Sequence, residues 1–124
     1  MNLISHYKNI KAYVTRDGSE IRELMHPDTQ GNKLQSLAEA IVKPGEITLL
    51  HKHIKSEEIY FILQGEGSMT LGNETIQVNN GDSICITPGT KHNIRNTGNE
   101  DLKILCCCSP AYSHDDTEIA QGAI

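Results

Sequence analysis

The sequence predicts an all-β fold in which two antiparallel sheets close into a jelly-roll barrel. Three observations lead there. Apolar residues seldom recur at the helical period. Ten glycines in 124 residues and frequent turn signals cut the chain into short segments, as in a sandwich or barrel. The eight or nine segments that alternate like strands, with hairpin-like links, are what a double-sheet jelly roll needs. The length suits one domain with a core of its own.

In order along the chain, residues 1–16 are a polar, weakly alternating lead-in, with Ile10, Ala12 and Val14 able to share one face of a short strand. Asp17-Gly18-Ser19 is a turn. Residues 21–25 read as a strand, although Asp17 and Glu20 also fit a capping box that opens one helical turn. His26-Pro27 and the polar run to Lys33 form a loop, and residues 36–42 a strand ended by Lys43-Pro44-Gly45. After the stretch GEITLLHKHIKSEEIYFILQG (45–65), Gly72-Asn73 is a two-residue hairpin signal between 69–71 and 74–78. Asn79-Asn80-Gly81 turns again, 97–101 is a polar loop, and 102–108 is the last strand. The tail from Ser109 lacks periodicity and is expected to run over the surface, with Tyr112 and His114 able to fold over the barrel mouth. The organisation expected is residues 1–35 packing on the barrel or on a neighbouring subunit, 36–108 the barrel, and 109–124 a tail.

Composition narrows the function. A net charge of −5 offers no basic footprint for nucleic acid. One Phe and no Trp supply few platforms for base stacking. No apolar run approaches the ~20 residues of a membrane span, and the first residues lack signal-peptide logic. The expected location is the cytoplasm, where Cys85, Cys106, Cys107 and Cys108 stay reduced. Adjacent cysteines on an extended strand cannot chelate one ion together, so 106–108 read as small core residues.

The chemistry concentrates in 45–65. Side chains two apart on a strand leave by one face, so His51 and His53 point together and Lys52 the opposite way. Residues 54–57 are short and polar enough for a hairpin loop that returns Glu58 beside His53 and Tyr60 beside His51. Two imidazoles and a carboxylate converging on one point outline a metal site. Farther on, GDSICITPGTKHNIRN (81–96) again reads as strand, tight turn, strand, with His92 opening the second strand.

These two stretches resemble the two motifs of the cupin superfamily. The first family motif is matched by Gly45, His51, His53, Glu58 and Gly65; the second by Gly81, Gly89, His92 and Asn96. The chain departs at the proline of the second motif, where Thr87 stands and Pro88 follows one place later; the departure touches the turn and not the histidine. The resemblance covers residues 36–108 and implies a small single-domain cupin with a double-stranded β-helix. It also implies His51, His53, Glu58 and His92 as ligands of one divalent transition metal, and an N-terminal segment that pairs with a second subunit.

Three imidazoles and a carboxylate suit Fe, Mn, Zn, Ni or Cu. On an octahedral ion they leave two positions for a small substrate or for substrate and dioxygen. Cupins include dioxygenases, decarboxylases, isomerases and binding proteins, and fold does not choose among them. The expectation is a metal-dependent enzyme on a small oxygen-bearing molecule, with oxygenase-type chemistry favoured by the open positions. Tyr60 is the candidate for hydrogen-bonding the substrate. The alternatives are a sugar phosphate isomerase like the mannose-6-phosphate isomerase cupins, and a non-catalytic binding or sensor module. Lys52, Lys91 and Arg95 lie in the right stretches for a phosphate, but alternation directs Lys52 and Arg95 away from the ligand face. Asn96 is expected to tie down loop backbone. Both faces of 58–63 are apolar, so the outer one needs a cover, and a homodimer is expected.

Overall fold

The computed structural model describes residues 2–120. Among them, eleven strands build two antiparallel sheets. The first sheet runs in the order β1 (Tyr13–Val14), β2 (Glu20–Met25), β3 (Ser36–Val42), β10 (Leu102–Ser109), β5 (Glu57–Gln64) and β8 (Ser83–Ile86). The second runs β11 (Thr117–Ile119), β4 (His51–His53), β9 (His92–Asn96), β6 (Glu66–Leu71) and β7 (Glu74–Asn79). This is the two-sheet jelly roll that the short strands predict. No described helix is long and apolar enough to cross a membrane.

Most links differ from the expected hairpins. The link at Gly72-Asn73 is one, placing Leu71 opposite Glu74. Residues 54–56 are not: β4 and β5 lie in different sheets, so the chain arches from one to the other. The reason lies in where the backbone donors go. Ile54 N–H donates to the Asp116 carbonyl (2.9 Å), and the N–H groups of Lys55 and Ser56 donate to the Asp116 carboxylate (2.9 and 3.0 Å). β4 is already paired with β9 and β11, so no ladder remains for β5. The connection from β8 to β9 is a similar arch, held where Gly89 N–H donates to the His53 carbonyl at 2.7 Å.

Alternation then sets the interior. β5 turns Glu58, Tyr60 and Ile62 inward, β9 turns His92, Ile94 and Asn96, and β10 turns Leu102, Ile104, Cys106 and Cys108. β5 and β10 each pass from a polar or thiol end to an apolar one, whereas β9 is polar at both ends, with Ile94 between His92 and Asn96. The apolar end is the core: Ile62, Met69, Ile94, Leu102 and Ile104 are each at most 1% exposed. Each such side chain contributes about 1.5–3 kcal/mol on burial. Ile84 points inward and Cys85 outward. Gly67 is required by contact, since a Cβ there would lie 2.7 Å from the Arg95 carbonyl oxygen.

At the N-terminus a single 3-10 turn (Tyr7–Asn9) and the two residues of β1 replace the expected short strand, and Ile10 and Ala12 fall outside any ladder. β1 pairs with β2 of the same chain, and the Tyr7 hydroxyl donates to Glu39 at 2.5 Å. The capping-box turn does not form; residues 20–25 are strand because they pair along β3. No described residue covers the outer face of β5, where Ile59, Phe61 and Leu63 are 38–48% exposed.

Candidate metal centre

His51 and His53 share the inward face of β4, and His92 opens β9 directly opposite His51. The ring centroids of His51 and His92 are 4.2 Å apart, and those of His53 lie 5.4 and 5.5 Å from them. One nitrogen of each ring falls within 4.8 Å of the others, so the three buried histidines form a group able to hold a metal ion. Glu58 approaches from the facing sheet rather than across a hairpin. Its Oε1 lies 3.2 Å from His53 Nε2 and 3.5 Å from His92 Nε2.

The outer hydrogen bonds of the rings settle which nitrogens carry protons. His51 Nδ1 is 2.8 Å from the Leu49 carbonyl, and His92 Nδ1 is 2.9 Å from the Thr90 carbonyl. A carbonyl accepts only, so both Nδ1 atoms are N–H donors. His53 Nδ1 is 3.0 Å from the Thr117 hydroxyl, which itself donates to the Ser113 carbonyl at 2.9 Å. That hydroxyl therefore accepts from His53. In the neutral rings all three Nε2 atoms are therefore lone pairs directed inward, toward a carboxylate. His92 Nε2 is buried with no hydrogen-bond partner. A proton on His53 Nε2 would satisfy one contact with Glu58 and still leave His92 orphaned. A metal cation at the convergence satisfies every atom, and ring N–H groups fixed by outer acceptors are how metal-binding imidazoles are oriented. The residues fit a divalent ion of the borderline class.

Burial raises the Glu58 carboxyl, but without an ion, ring protons of His53 and His92 facing it outweigh burial and hold it at about 2, so the carboxylate calls for positive charge at this point. Burial lowers His51, the neighbouring His92 adds to the effect, and Asp17 opposes it. Tyr60 lines the cavity beside the histidines, its ring edge-on to His92 at 6.1 Å. Burial, and then the charge of Glu58, push its hydroxyl well above the usual range. Burial does the same to the thiols of Cys106 and Cys108. Cys106 and Cys108 are buried as core residues, as expected, and also line the cavity opposite Tyr60 and Glu58 on the adjacent strand, whereas Cys107 is half-buried on the other face.

The free interior measures about 60 Å³ to the centres of water-sized spheres, room for a few waters at ~15 Å³ each. No Lys or Arg lines it. Lys52 faces outward near Glu118, while Lys91 and Arg95 are exposed. Asn96 lies at the far end of β9, where it donates to the carbonyls of Val42 (2.9 Å) and Glu100 (2.7 Å) and accepts from Gly98 N–H (2.9 Å). It ties down backbone, as expected.

Asp17 and Thr117 escape the sequence argument, which places Tyr112 only over the barrel mouth. The tail does not simply run over the surface. After a 3-10 turn (His114–Asp116), β11 pairs with β4 and sets Thr117 opposite His53. Tyr112 lines the cavity with its ring 5.7 Å from that of His53, and its hydroxyl bridges Thr15 and His114. Asp17, in the turn before β2, places Oδ2 3.6 Å from His51 Nε2. Ser113-x-Asp115 and Asp17-x-Ser19 are local turn signals, and neither tells where the turn docks.

A family model for the cupin domain matches residues 38–108. An uncharacterized protein of Methanocaldococcus jannaschii is 59% identical over 117 residues, covering 94% of each chain. The oxalate-binding protein of Thermotoga maritima is 38% identical over 87 residues, 69% of this chain and 71% of that protein. The crystal structure of a predicted oxalate decarboxylase from T. maritima matches with a TM-score of 0.76 at 28% identity, over 87% of this chain and 99% of that one. With the motif residues gathered at one end of a two-sheet barrel, the chain belongs to the cupin family.

Proposed function

We propose that this protein holds one divalent transition metal through His51, His53, Glu58 and His92 and acts on a small oxygen-bearing molecule that chelates the ion. The observation that carries this reading is the convergence on one carboxylate of three Nε2 atoms that are proton-free in the neutral rings, with His92 Nε2 buried and unpartnered among the described residues. The ion supplies Lewis acidity and, when redox-active, one-electron chemistry. The protein's own part is to keep the rings in register, to exclude bulk water and to leave room for only a few heavy atoms. Tyr60, whose hydroxyl has no hydrogen-bond partner among the described residues, orients the bound molecule. Oxygenase-type chemistry uses the two positions that four protein ligands leave on an octahedral ion.

The T. maritima relative, an oxalate-binding protein by name, supports a small carboxylic acid as the ligand class and gives the non-catalytic binding reading its footing. The isomerase reading is favoured less, because among the described residues no Lys or Arg lines the cavity to receive a phosphate. We also place the chain in the cytoplasm, which four free cysteines suit. We propose a homodimer, with Ile59, Phe61 and Leu63 on the covered face.

The test is oxygen uptake after anaerobic Fe(II) loading, against small acids, phenols and diketones, with His92→Ala as control. Substrate-dependent uptake that the variant lacks supports the oxygenase. Tight binding of a small acid without oxygen uptake supports the binding protein, and failure to see either result overturns the proposal.

A further inference from the structure

Asp17 stands apart from the four motif residues. It comes from the β1–β2 turn, whose backbone is fixed to the loop before β4 by Leu49 N–H donating to the Asp17 carbonyl at 2.8 Å. Its Oδ1 accepts both the backbone N–H (2.9 Å) and the hydroxyl (2.7 Å) of Ser19. The carboxylate is therefore held in one orientation. Its other oxygen lines the cavity, 3.6 Å from His51 Nε2, and that nitrogen has no proton to give, because the His51 proton sits on Nδ1 toward Leu49. Among the described residues no donor reaches Asp17 Oδ2. It is a fixed acceptor facing the space a ligand would fill.

Asp17 stands at the edge of the histidine group and not at its convergence: it lies within 4.0 Å of His51 alone, whereas Glu58 approaches both His53 and His92. Glu23 and Glu58 also line the cavity, so three carboxylates face it beside His51 and His53, and among the described residues no Lys or Arg does. A doubly ionised acid entering there meets like charge and offers Oδ2 nothing. A ligand with a hydroxyl beside its metal-binding carboxylate carries one charge fewer and donates to Oδ2. A pocket built to receive a hydroxyl discriminates strongly against an analogue that lacks it, because its own polar group is then unpaired.

We infer that Asp17 sets the specificity of this site for small α-hydroxy acids over fully ionised dicarboxylates, by accepting a hydrogen bond from the ligand hydroxyl. The inference rests on the metal-chelate reading above.

The test uses the full chain loaded with Mn(II) and measures the dissociation constants of glycolate and oxalate for wild type and Asp17→Asn, together with bound Mn(II) per chain. The Asn oxygen can keep both hydrogen bonds from Ser19, so the turn survives; Asp17→Ala is the second variant. We expect Mn(II) content to hold while the glycolate constant rises and the oxalate constant falls, moving their ratio at least tenfold. An unmoved ratio overturns the role of Asp17. Loss of Mn(II) in Asp17→Asn also overturns it, by making Asp17 a ligand of the ion. If Mn(II)-loaded wild type binds neither acid, the chelate reading fails and takes this inference with it.

Discussion

His53 donates its Nδ1 proton to Thr117, 3.0 Å away on a strand that follows it by more than sixty residues. The same hydroxyl donates onward to Ser113. The last described strand thus orients a ring of the metal centre, and the tail becomes part of the site's support. Thr117→Ala should leave the barrel folded and weaken metal binding about 10–100-fold, the usual cost of removing such an outer partner. Titration of the apoprotein with Zn(II) against a chelator of known affinity checks it, and equal affinities would show that β11 does not orient His53.

Much of the site was legible in the sequence because its information is local. His-x-His on one strand face needs only alternation, and His92 needs only its place at the start of β9. What was not legible is what arrives from far along the chain. Asp17 and Thr117 reach the centre through the docking of a turn and a tail, and spacing says nothing of docking; Tyr112 was legible only as a residue able to fold over the barrel mouth. The expected hairpin between His53 and Glu58 gave the right neighbours for the wrong reason. A short polar link suits a hairpin and an arch equally, and the choice depends on Asp116, which lies sixty residues on.

Gly67→Ala tests the close approach of β6 and β9. The added Cβ would meet the Arg95 carbonyl, which sits in a ladder and cannot retreat without disturbing the pairing of Gly67 with Asn96. We predict a loss of about 1–3 kcal/mol, read from urea denaturation with the slope unchanged.

The cysteines should separate by place. Cys85 is exposed and Cys107 half-buried, whereas Cys106 and Cys108 face the cavity with thiols raised far above their usual range by burial first and by Glu58 second. Reactivity follows the thiolate. Iodoacetamide at pH 8 should modify Cys85, and more slowly Cys107, in the folded protein. Cys106 and Cys108 should react only after unfolding. Peptide mass spectrometry reads the outcome, and rapid native labelling at Cys106 would contradict the burial of that strand face.

Asn96→Ala removes a side chain that makes three hydrogen bonds in a fully buried position. The stranded carbonyls and N–H group should cost about 3 kcal/mol. Metal affinity should barely change, since Asn96 lies at the far end of β9 from His92. Thermal denaturation and metal titration of the same variant separate the two effects.

The central claim is that His51, His53, Glu58 and His92 hold a metal, and elemental analysis of the protein purified without chelators tests it most directly. The account predicts close to one Fe, Mn, Zn, Ni or Cu per chain, falling to background in His92→Ala. A chain that stays metal-free through purification and through loading with each of these ions would contradict it.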